Sequence, residues 1–116
     1  MSLCVDVFTV PDRRITKVPE DASDLAGFEV WRWKVWASPL VRALDARFFP
    51  RLDGADLWVE PEDLDAFGAE CALLRRWLDL IAEASGVRAE DVGLRLAHIE
   101  AAVERARGIG GGVVVW

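Results

Sequence analysis

Hydrophobic and polar positions along this chain change their period several times, and each change marks an element. Leu3 to Val10 mixes apolar and β-branched residues, interrupted only by Asp6 and closed by Pro11-Asp12, which predicts a first strand. Residues 11–27 hold two prolines, turn-forming Asp and Ser, and a closing Gly27, which predicts a loop. Loops of that length in a compact domain are commonly functional. From Phe28 to Trp36 the order FEVWRWKVW interleaves large and charged side chains. With period two, Trp31, Trp33 and Val35 share one face and Val30, Arg32, Lys34 and Trp36 the other. A helical reading instead stacks Trp33, Trp36, Ala37 and Leu40. Aromatic and β-branched content favours the strand, and Ser38-Pro39 supplies an N-cap and first helical residue directly after it.

The helix from Pro39 carries Leu40, Val41, Leu44 and Phe48 at helical spacing and ends at Pro50. Asp53-Gly54 is a turn and Leu57-Trp58-Val59 a short strand. After Pro61, Leu64, Phe67, Cys71, Leu74, Leu78 and Ile81 recur by threes and fours, with Leu73, Trp77 and Leu80 widening the stripe. This predicts one long helix, capped by Gly86. A second runs from Ala89 to Arg107 with Val92, Leu96, Ile99, Val103 and Ala106 on one face, and the glycines at 108 and 110–112 end it. Val113 to Trp116 reads as a last strand. The order predicts an α+β fold: a small, mostly antiparallel sheet of about four strands, covered on one face by a long helical pair and a shorter helix. At 116 residues the chain makes a single domain, 1–116.

Composition narrows the function more by exclusion than by assertion. Hydrophobic residues are 53% and charged residues 29%, with a mean hydropathy of +0.17, a balance that excludes disorder. The net charge is −6, which argues against nucleic-acid binding, where Lys and Arg must neutralise phosphates. Residues 1–58 hold 9 acids and 8 bases, residues 59–116 hold 11 acids and 6 bases, so the excess lies in the second half. Between positions 60 and 70, Glu60, Glu62, Asp63, Asp65 and Glu70 meet no base. Acids gather at helix starts because the macrodipole favours them, and the same cluster suits a cationic partner. Cys4 and Cys71 have no CxxC or Cys/His companion and read as reduced, buried thiols. No apolar run reaches the roughly 20 residues that span a bilayer. The N-terminal residues lack the basic and long apolar regions of a signal peptide. A cytoplasmic protein with no membrane partner is expected.

No constellation predicts catalysis. The glycine run at 108–112 follows a helix and precedes a strand, the reverse of the order a phosphate cradle needs. His98 is the sole histidine, and the residues three and four away (Arg95, Leu94, Ala101 and Ala102) cannot orient it as an acid or base. No serine lies in a GxSxG context. The paired carboxylates Glu20/Asp21, Glu62/Asp63 and Glu90/Asp91 all fall at expected helix starts or in the loop. Neither metal nor cofactor is implied.

The tryptophans carry the strongest signal. Trp31, Trp33 and Trp36 crowd six positions and alternate with Arg32 and Lys34. Tryptophan and arginine dominate interface hot spots, because both bury large area and keep a polar handle. On a strand, period two cannot bury Trp31, Trp33 and Trp36 on one face, so at least one should be exposed. Trp116 ends an apolar strand that, at a sheet edge, invites pairing with a second copy, so the partner is another protein or the chain itself, a homodimer forming by edge pairing or by docking of Trp116. The reading is a small acidic protein-binding module, of the kind an immunity protein or antitoxin represents. Its expected contacts are Trp31, Arg32, Trp33, Trp36, Arg42, Glu62, Asp63, Asp65 and Trp116. The competing reading is a small-molecule binder or weak enzyme whose pocket is lined by Trp31, Trp33 and Arg42.

Overall fold

In the computed structural model, residues 2–16, 18–19 and 22–116 are described; the Glu20/Asp21 pair lies outside them. The strands are β1 (Ser2–Phe8), β2 (Ile15–Thr16), β3 (Leu25–Phe28), β4 (Leu57–Val59) and β5 (Gly112–Val115). The helices are α1 (Trp31–Lys34), α2 (Pro39–Ala43), α3 (Leu64–Arg76), α4 (Leu78–Ser85) and α5 (Ala89–Ile109), with 3-10 turns at Phe49–Leu52 and Pro61–Asp63. Every strand pair is antiparallel. The path runs β2-β1-β5-β4, and β3 also pairs with β1. Cys4 exchanges both backbone hydrogen bonds with Trp116, whereas Val5 N–H donates to Asp24. Successive amides point to opposite edges of a strand. Thus β2 and β3 share one edge of β1, and β5 holds the other. The fold is α+β, with α5 laid on the sheet and α3 and α4 packed against α5.

Alternation sorts the sheet residues. Leu3, Val5 and Val7 of β1, Leu57 and Val59 of β4, and Val113 and Val115 of β5 join Leu96, Ile99 and Val103 of α5 in one buried core. The core is completed by Trp31, Trp36, Phe48, Phe49 and Phe67. Phe49 stacks between Trp36 and Phe67 at ring separations of 5.0 and 5.3 Å.

Several expectations change. The strand expected over Phe28–Trp36 stops at Phe28, and α1 follows. At Gly27 the backbone takes φ +114°, and a Cβ there would come within 2.5 Å of the Trp31 ring. Only glycine allows both the turn and the indole lying over it. The chain then coils so that Trp31, Val35 and Trp36 all enter the core, a set that matches neither the strand nor the helical reading. Trp36 is held by its indole N–H donating to Ala26 O at 2.9 Å. The expected helix over residues 39–49 contracts to α2, because Asp45 adopts φ +63° and breaks it. The single helix expected from Pro61 to Gly86 is two, separated at Trp77. Trp77 and Leu80 stay exposed rather than widening a buried stripe. The last strand is not at an edge: β5 lies between β1 and β4, so its backbone has no free side for a second copy.

One buried carboxylate organises the irregular middle of the chain. Glu70 on α3 is 8% exposed and accepts hydrogen bonds from the backbone N–H groups of Arg47, Phe48 and Phe49, the last at 2.8 Å. Three donors satisfy a charge that burial alone would penalise, and they seat Phe48 and Phe49 in the core. A Glu70→Gln substitution turns an amide N–H₂ toward those backbone donors. It is expected to cost about 1–3 kcal/mol, read as a lower urea midpoint with an unchanged slope.

Candidate functional site

The face of the sheet turned away from the helices is the candidate. Polar residues normally occupy the open positions of such a sheet. Here they read Ser2, Cys4, Asp6 and Phe8 on β1, Gly112, Val114 and Trp116 along β5, and Trp58 on β4. Directly paired residues share a face. The pairs Ser2–Phe28 and Cys4–Leu25 therefore bring two more apolar side chains to it from β3. Phe28 is 58% exposed, and Leu25 and Trp116 are each 38% exposed.

An aromatic chain crosses this face. Phe8 meets Trp58 edge-on at 5.1 Å, and Trp58 meets Trp116 at 5.8 Å and 70°. Edge-to-face packing is the favoured arrangement of aromatic quadrupoles. Beneath them Phe8 and Val114 are fully buried although no helix covers them. The Arg13 guanidinium lies 4.8 Å from the Trp58 ring centre and 5.8 Å from that of Phe8, and it is ion-paired to Glu60. Trp116 donates its indole N–H to Asp6 Oδ2 at 3.0 Å, which fixes the ring's orientation. Burial, followed by the carboxylates of Asp24 and Asp6, pushes the Cys4 thiol up from its ordinary range, so it stays protonated at neutral pH.

The corner where β3 passes into α1 adjoins Phe28. Val30 and Trp33, three apart on one helical turn, are 45% and 54% exposed. Their backbone is anchored from beneath. Arg32 binds Glu29 and Asp56 and donates to the carbonyls of Leu52 and Ala55, the latter at 2.6 Å. Partial burial works against the Arg32 charge, but the bonds to Glu29 and Asp56 outweigh it and raise the pKa.

The structure therefore separates the residues expected to act together. Trp31 and Trp36 are interior and Arg32 is an internal tie, so none of the three presents a free face. Trp33 and Trp116 remain accessible. Arg42 binds Ala37 O and Asp53. Asp65 pairs with Arg107 of α5 in the helical layer, while Glu62 and Asp63 form the 3-10 turn ahead of α3. Of that acidic cluster, Glu60 reaches a tryptophan, through the Arg13 that lies over Trp58. A cleft of about 160 Å³ between α3 and α5 is lined by Gly68, Cys71, Glu100, Val103 and Glu104, and none of the expected contacts lines it. His98 is half-buried on α5. Its Nδ1 lies 2.6 Å from Leu25 O and must carry the proton that bond requires. Among the described residues no group of three or more His, Cys, Asp or Glu is placed to hold a metal ion.

Leu25, Phe28, Trp58 and Asp6 were missed from sequence because strand pairing alone brings them to the face that Trp116 occupies; Trp58 and Asp6 touch Trp116, whereas Leu25 and Phe28 lie across β1 from it. The cluster rests on Gly112, opposite Phe8. A Cβ at Gly112 would fall 2.3 Å from the Phe8 ring and 2.3 Å from Val59 O, and the carbonyl cannot swing away. Gly112→Ala is expected to lift Phe8 and loosen both tryptophans, costing about 1–3 kcal/mol with a red shift in tryptophan emission. No protein-family model, curated protein or solved structure matches the chain.

Proposed function

We propose that this protein is a binding module that docks another protein on the open face of its sheet, with Phe28 and Trp116 as anchors. One observation carries the reading. Among the sheet positions named on the open face Asp6 alone is charged, and Leu25, Phe28, Trp58 and Trp116 are apolar. Contiguous exposed apolar surface of this kind marks partner sites in globular proteins. Tryptophan there brings large rigid area at low entropic cost. The backbone beneath is already committed, with β1 paired on both edges and Trp116 fixed by Asp6. Little ordering is left to oppose binding. Trp33 and Val30 extend the surface at its β3 end.

The test compares charged substitutions at equally exposed apolar positions. Wild-type protein immobilised on resin is expected to retain a stoichiometric partner from the source cell. Phe28→Asp should lose it, whereas Leu94→Asp on α5 and Glu62→Lys should keep it. Capture that survives Phe28→Asp, or that is lost equally with Glu62→Lys, would move the contact to the helical layer. The same eluate, sized by light scattering, separates a foreign partner from a second copy of the chain.

A further inference from the structure

We infer that the Trp116–Asp6 corner of the open face receives an arginine side chain from a basic protein partner. The inference rests on the protein-binding reading above and names the chemistry of its partner. The chain itself supplies the precedent. One strand away, a guanidinium lies over an indole and is held there by a carboxylate: Arg13 over Trp58 at 4.8 Å, paired to Glu60. Trp116 and Asp6 repeat the indole and the carboxylate, edge-on to the first set at 5.8 Å. Among the described residues no cation of the chain lies over Trp116.

The local charge agrees. Asp6 is the carboxylate that touches this indole, and Asp24 adds a second negative charge near Cys4, on the far edge of β1 from Trp116. Asp6 gives one oxygen to the Trp116 N–H and keeps lone pairs for a second donor. A planar guanidinium can stack on the ring and turn an N–H toward that carboxylate, which a compact ammonium does less well. The net charge of −6 favours a basic partner's approach over long range.

A hexa-arginine peptide is the probe and its uncharged hexa-citrulline counterpart the control. Each is titrated into the intact chain at low salt, with tryptophan fluorescence and calorimetry as readouts. Hexa-arginine should bind and quench, and hexa-citrulline should not. Asp6→Asn preserves an acceptor for the Trp116 N–H while removing the charge, and it should weaken binding about tenfold. Trp116→Leu should weaken it by a similar factor. Glu62→Gln removes the same charge away from this face and should change affinity less than twofold. Equal losses for Asp6→Asn and Glu62→Gln, equal binding of both peptides, or no binding of either would overturn the inference. Should Trp116→Leu fail to fold by circular dichroism, the Asp6→Asn and Glu62→Gln comparison decides alone. Partner capture that still depends on Phe28 after such a result would leave the protein-binding reading standing and remove only the arginine.

Discussion

The contact on which the open face depends is the Phe8 ring lying on Gly112. Because position 112 has no side chain, β1 and β5 place an aromatic ring where a methyl group would otherwise collide with Phe8 and with Val59 O. Phe8 then supports Trp58, Trp58 supports Trp116, and Val114 is sealed beneath all three. The sheet consequently has two apolar faces. The helices cover one; among the described residues the other is roofed by its own indoles and by Arg13. That arrangement buries a second small core and leaves Trp116, Leu25 and Phe28 at its rim. Stability and the candidate site share the same atoms, so strength in one limits freedom in the other.

The rest of the molecule holds its irregular segments by backbone carbonyls and amides taken up by side chains. Glu70 gathers three consecutive N–H groups at Arg47–Phe49. Arg32 collects the carbonyls of Leu52 and Ala55, and Trp36 takes Ala26 O. His98 meets Leu25 O. These bonds satisfy polar groups that loops would otherwise bury unpaired. Two of them also occupy carbonyls of β3, which covers part of an edge strand that could pair with another chain. The corner bearing Val30 and Trp33 is thus tied down although its helix, α1, is a single turn.

The legible parts of the fold were those with sustained period. Val92, Leu96, Ile99, Val103 and Ala106 predicted α5, and the glycines after it predicted the turn into β5. Leu3 to Phe8 was recognisable as a strand from its β-branched content. The FEVWRWKVW segment was not, because aromatic composition and local alternation both favour a strand. What overrode them is the Gly27 turn and the pull of Trp31 and Trp36 into one core, a tertiary effect stronger than local propensity. The same ambiguity hid which of the three tryptophans are accessible. Three tryptophans close in sequence signalled a surface, yet two are buried. The exposed surface joins residues up to 91 positions apart, from Leu25 to Trp116.

By itself, the sequence determined the class of fold and the period that makes α5, and it named Trp33 and Trp116, which the structure leaves accessible. The run Val113-Val114-Val115-Trp116 was legible as a strand, but not as an interior one buried on both faces. Tertiary structure alone decided that β5 is interior, that Asp6 meets Trp116, and that Leu25 and Phe28 share their face. The physical reason is that period sets which side of a strand a residue occupies, whereas pairing and register set what it stands beside. A binding surface is made of neighbours, and neighbours across a sheet are chosen by strand order, which no local pattern encodes.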